Sequence, residues 1–186
     1  YEITFSPTGG TQKAADLLTR GLAGEPVAVD LTDSTADFSA VAPAPEDTAV
    51  IAVPSYGGRV PAVAAERLKA VKGGGARAVL LCVYGNRAYE DTLVELEDAA
   101  KAAGFRVTAA AAAIAEHSIA RRYAAGRPDG EDADQLRTFA EKIQAKLSAG
   151  DNTEPRIPGN RPYKKAGGAG LVPKVNKSCK KCGLCA

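Results

Sequence analysis

A chain of 186 residues with 24 Lys and Arg against 22 Asp and Glu carries a formal net charge of only +2. That balance, with no basic stretch interleaved with aromatics, argues against a general nucleic-acid surface. Hydrophobic residues make up 45% and no apolar run reaches the roughly 18 residues of a membrane-spanning helix, so one ordinary domain plus an appendage is expected, with no membrane span.

The opening residues 1–5 read as a short apolar strand. Ser6-Pro7-Thr8-Gly9-Gly10-Thr11 follows, and then Ala14, Ala15, Leu17, Leu18 and Leu22 recur at helical spacing, which predicts a helix from Thr11 to about Ala23. A turn of this kind between strand and helix aims backbone N–H groups and the positive end of a helix dipole at one point, which suits a phosphate. Ser6, Thr8 and Thr11 add hydroxyl donors, and Gly9 and Gly10 permit close approach. No lysine lies in the turn, so the nucleoside-triphosphate loop is not matched, nor is the dinucleotide fingerprint. The plainer reading of the same stretch is a strand–helix connection with Thr11 as helix N-cap.

Residues 27–31 read as a second strand and residues 32–46 as loop. The apolar run 48–53 is a strand buried on both faces, ending in Pro54-Ser55-Tyr56-Gly57-Gly58-Arg59. A helix is predicted from Pro61 to Val71, with Pro61 in its first turn, and a buried strand over residues 78–83. Tyr84-Gly85-Asn86-Arg87-Ala88-Tyr89 then forms a loop, and a helix runs to about Ala103. A fifth strand covers residues 105–115, Glu116-His117-Ser118 is irregular, and a last helix spans about 131–147. Strands alternating with helices predict a doubly wound parallel sheet of order 2-1-3-4-5, with ligand at the carboxyl ends of strands one, three and four. The loops 6–11, 54–61 and 84–89 meet at that edge.

Residues 149–175 are punctuated by proline and glycine without periodicity and read as a linker extended over the first domain rather than packed as a core. Cys179, Cys182 and Cys185 then follow at C-x2-C-x2-C spacing, which is too cramped for the usual pair of zinc-binding cysteine pairs and matches the opening of the bacterial 4Fe-4S ferredoxin run. This chain would supply at most three ligands of one cluster, and the rest of the ferredoxin domain is expected past Ala186. Cys82, alone in an apolar strand, reads as a small buried hydrophobe. The cysteine pattern is no disulfide framework, so a reducing, cytoplasmic setting is expected. With no Met and an immediate apolar strand, the natural N-terminus is expected a few residues upstream.

The pattern of residues 6–11 resembles the phosphate loop of the flavodoxin family, and the likeness extends over residues 1–148. It implies FMN, with Ser6, Thr8, Gly9, Gly10 and Thr11 at its phosphate. Tyr56 and Tyr84 or Tyr89 stand where the family stacks an aromatic on the flavin ring. Ser55, Gly57, Gly58, Gly85 and Asn86 would lie at the ring edge. Arg59 or a backbone N–H there would favour a reduced, anionic flavin. His117, the single histidine, would reach the same pocket or be a plain loop residue. With the linker and the cysteine run over 176–186, the whole resembles bacterial fusions of a flavodoxin-like domain to a C-terminal 4Fe-4S ferredoxin domain. That resemblance implies electron transfer between FMN and iron–sulfur clusters, with redox partner proteins. The alternatives are an FMN-dependent NAD(P)H or quinone oxidoreductase, for which no nicotinamide fingerprint is found, and a non-enzymatic response-type module. The latter would need an acidic residue where the chain has Pro54-Ser55.

Overall fold

The computed structural model describes residues 1–167 and 175–180. Five parallel strands form one sheet in the order β2-β1-β3-β4-β5, the flavodoxin-like doubly wound arrangement. They are β1 (Glu2–Thr4), β2 (Ala28–Asp30), β3 (Thr48–Pro54), β4 (Arg77–Tyr84) and β5 (Arg106–Ile114). Helices α1 (Gly10–Thr19), α2 (Ala62–Ala70), α3 (Thr92–Ala102) and α4 (Gly130–Ser148) connect and follow them.

The period of two in β3 and β4 builds two separate cores. Ala49, Ile51 and Val53 of β3 and Ala78, Leu80 and Cys82 of β4 pack with Leu68 of α2 and Leu93 and Leu96 of α3. Val50 and Ala52, with Val79, Leu81 and Val83, face Leu18 of α1 and Leu136 and Ile143 of α4. A fully buried side chain of this size contributes about 1.5–3 kcal/mol, so the continuous apolar runs are what place β3 and β4 at the centre of the sheet. Cys82 belongs to that core, completely buried, and burial pushes its thiol well above the usual range. In β5 the ladder skips Thr108, whose hydroxyl donates to the Ala78 carbonyl.

Two local expectations are corrected. The first helix begins at Gly10 and its N-cap is Gly9, at φ +82°, while Thr11 lies inside the first turn and is buried. The same helix ends at Thr19 rather than near Ala23. Beyond it the chain tightens, Gly21 donating to the Leu18 carbonyl and Leu22 to that of Thr19. Gly21 sits where any Cβ would collide with Ala140 of α4, so the last turn is shaped by helix packing and not by the apolar spacing that includes Leu22. Residues 32–46 are irregular as read, apart from a single 3-10 turn at Phe38–Ala40 capped by Asp37. No helix among the described residues is long and apolar enough to cross a membrane.

Candidate functional site

The parallel sheet brings the loops after β1, β3, β4 and β5 to one edge, the edge at which doubly wound sheets bind ligands. There they enclose two adjoining cavities of about 530 and 550 Å³. Ser55, Gly57, Tyr84, Gly85 and His117 belong to the walls of both, so the two form one cleft.

The first cavity is bounded by the β1–α1 turn. Within that turn the Gly9 N–H bonds to the Ser6 carbonyl, and the Gln12 N–H to the Ser6 hydroxyl at 2.9 Å. The backbone N–H groups of Thr8, Gly10 and Thr11, and the hydroxyls of Thr8 and Thr11, have no partner among the described residues. The left-handed Gly9 turns the chain so that α1 starts without a side-chain cap. Free N–H groups, free hydroxyls and a helix N-terminus at one cavity wall are a donor set for an oxyanion such as phosphate. Thr8, Gly10 and Thr11 line this cavity, whereas Ser6 is not in its wall and its hydroxyl accepts the Gln12 N–H.

The second cavity lies between the loops after β3 and β4. Tyr56 and Arg59 pair backbone to backbone across Gly57-Gly58, whose φ values of +61° and +83° make a tight turn that favours glycine at both places. Tyr56, in the wall of the first cavity, is about half exposed, and burial of the rest of the ring raises its phenol pKa. The Ser55 hydroxyl sits 2.7 Å from that of Thr92, at the start of α3. Tyr84 lines both cavities, backed edge-on by Tyr89 with ring centroids 5.3 Å apart. Tyr89 itself is in neither wall; it packs on the α2–α3 core, and burial raises its phenol pKa.

His117 stands where the two cavities meet. Its Nδ1 accepts the N–H groups of Ile119 and Ala120 at 3.2 and 3.1 Å, which fixes the proton of the neutral ring on Nε2. A Cβ on Gly85 would lie 2.6 Å from the imidazole Cδ2, so the loop after β4 can pass the histidine only as glycine. The loop carrying His117 is held by Glu116, which accepts from the Gly126 N–H and from Arg121; these bonds keep its carboxyl below the usual range.

Arg59, expected to face the cleft as a cation, is engaged elsewhere. Its guanidinium makes two bonds of 2.7 Å to Glu95 of α3 and a third to the Lys164 carbonyl. These pairings raise its pKa. Sequence reasoning missed Arg87, Tyr123 and Ala124, all in the wall of the second cavity. For Tyr123, proximity to His117 in the chain was the available signal, and the two rings meet edge-on. Cys179 is exposed, while Cys182 and Cys185 lie outside the described residues.

No family model matches this sequence, and no curated protein matches it. Among solved structures, the chain is similar to a flavodoxin from the domain Archaea, at 13% identity over 79% of this chain and 96% of that one, with a TM-score of 0.53. It is similar to an NADH:FMN oxidoreductase in its apo form, at 18% identity over 83% and 94%, TM-score 0.55. It also matches rubredoxin oxygen:oxidoreductase from Desulfovibrio gigas at 15% identity and TM-score 0.54, spanning 80% of this chain but only 35% of that enzyme. Likeness at these identities shows the fold.

Proposed function

We propose that the chain is an FMN-binding electron-transfer protein of the flavodoxin type, and that residues 1–148 form its flavin domain. The observation that carries this reading is the set of unpaired N–H and hydroxyl donors of Thr8, Gly10 and Thr11 in a cleft that continues between two aromatic loops. Those donors would hold the FMN phosphate. Tyr56 and Tyr84 would flank the ring, with Ser55, Gly57, Gly58, Gly85, Asn86 and His117 around its edge. The Nε2–H of His117 would donate into the cleft. FMN, when bound, supplies one- and two-electron chemistry. The residues of this chain bind and orient it, and limit the water that reaches it.

The C-x2-C-x2-C spacing supports a further part of the proposal. Cys179, Cys182 and Cys185 would provide three thiolates of a 4Fe-4S cluster, with residues 176–186 opening a ferredoxin-like unit and redox proteins as partners. An absorption spectrum of anaerobically purified protein, with flavin, iron and sulfide analysis, tests both assignments. Flavin bands at one per chain are expected; a colourless protein that takes up no added FMN contradicts the reading.

A further inference from the structure

Residues 150–167 contain no helix or strand, yet Glu154 is bonded to α3, and residues 160–164 are bonded to the flank of α3 and to the loops of the second cavity. The junction is Asp91. It is only 1% exposed and occupies the N-cap place of α3, but its side chain caps no helix N–H. One carboxylate oxygen accepts the backbone N–H and the side-chain amide of Asn160 at 2.8 and 3.0 Å, and the other accepts the Lys164 N–H at 2.7 Å. These bonds, that of Lys164 foremost, keep the carboxyl below its usual range. The Asp91 N–H meanwhile donates to the Gly58 carbonyl at 3.1 Å. One residue thus ties the Gly57-Gly58 turn to a segment some seventy positions away.

The neighbouring contacts repeat this pattern. Lys164 pairs with Glu90, whose side chain lies so close to Gly58 that a Cβ there would overlap it. Arg59 donates to the Lys164 carbonyl and lies 4.9 Å over the Tyr163 ring, whose hydroxyl donates to Asp98. Arg161 binds Glu97 and Asp98. Gly159, at φ +146°, passes so near Val94 that any side chain would lift the segment from α3. A buried carboxylate is tolerated only when its hydrogen bonds are supplied, and for Asp91 this segment supplies them. Among the described residues no hydrogen bond or ion pair joins the segment to residues 6–11.

We infer that residues 150–167 are a strap that positions the flavin ring: Asn160 and Lys164, acting through Asp91 and Glu90, hold the loops 55–59 and 84–91 at the spacing the ring requires. The inference rests on the flavin reading above. Asp91, Asn160 and Lys164 are positioning residues and touch no flavin. The strap therefore governs the ring end of the cleft and leaves the phosphate end alone.

The test compares the full chain with Gly159→Ala, which forces the strap off Val94, and with the milder Lys164→Ala. Each is titrated with FMN and with riboflavin, the visible absorption of the bound flavin is recorded, and the melting temperature of the apoprotein is taken as a control. Both variants are expected to bind FMN and riboflavin more weakly by the same factor, about tenfold and thus worth one net hydrogen bond, and to shift the visible band of the bound flavin. The ratio of the two affinities stays that of the unmodified chain. Should Gly159→Ala not fold, the same measurements on Lys164→Ala decide the matter. Unchanged affinities and an unchanged band would overturn the strap's role while the flavin reading stood. An unmodified chain that binds neither flavin would overturn both.

Discussion

The turn at residues 6–11 and the loop pair at 55–59 and 84–91 face the same cleft but are held in opposite ways. The turn is fixed by contacts within a few residues, Gly9 to Ser6 and Gln12 to Ser6, and it leaves its donors unspent. The loop pair is fixed from a distance. Arg59 reaches Glu95 and Lys164, and Asp91 reaches Gly58, Asn160 and Lys164. One region is preorganised by its own sequence and keeps free groups for a ligand. The other spends its polar groups on structure and offers backbone, aromatic faces and space.

The largest effect expected of a single substitution is on the loop pair. Glu95→Ala strips Arg59 of two bonds and the Val60 N–H of its acceptor, in a pair whose side chains are only 22% and 15% exposed. It should cost about 2–3 kcal/mol of stability in denaturant titration, because an ionised partner is left partly buried. A matching change in the turn should leave stability alone and show in binding. Thr8→Ala is expected to lose about 1–2 kcal/mol of FMN affinity and none of riboflavin affinity, measured by fluorescence quenching.

Changes of pH separate the regions next. The carboxyls of Asp91, Glu90 and Asp98 are held below their usual range, by the Lys164 N–H, the Lys164 ammonium and Arg161 respectively. A lowered pKa stabilises above the unfolded value, so the strap's contribution is complete at neutral pH and fades as pH falls below about 4. Tyr163 behaves in the reverse sense. Burial, then its bond to Asp98, pushes its phenol up to about 12. Its contribution is complete below the unfolded value near 10 and is lost as pH rises through about 12. A spectrophotometric tyrosine titration in which the latest step disappears in Tyr163→Phe checks this. The smallest effect lies beneath the turn, where burial, with Asp16 nearby, raises the carboxyl pKa of Glu2. A raised pKa means that the ionised form is less favourable in the fold than in the unfolded chain, so its charge costs stability above the unfolded value. Glu2→Gln should therefore raise the melting temperature at pH 7 by about 2 °C, with no gain near pH 4.

The same contrast explains what could be read from the sequence. The β1–α1 turn, the two central strands and the meeting of three loops at one edge follow from local chemistry and from runs such as Ala49–Val53 that can only be central. The end of α1 is not legible in the sequence because Gly21 against Ala140 is a tertiary fact, invisible in the spacing of Leu18 and Leu22. Arg59 reads as a cation for the cleft because nothing in the sequence pairs it with Glu95, 36 residues on. The bonding partners of residues 150–167 are illegible in the sequence for the same reason. Proline and glycine without periodicity mark a chain that makes no core, and they are silent on whether its N–H groups find a buried Asp91.

The central claim is that the donors of residues 6–11 bind the phosphate of FMN. It is tested most directly by titrating the apoprotein in parallel with FMN and riboflavin, which differ only in that phosphate. The account predicts one site per chain, with FMN bound at least about tenfold more tightly, since several hydrogen bonds to a charged group are made at once. Equal affinity for the two flavins would contradict it.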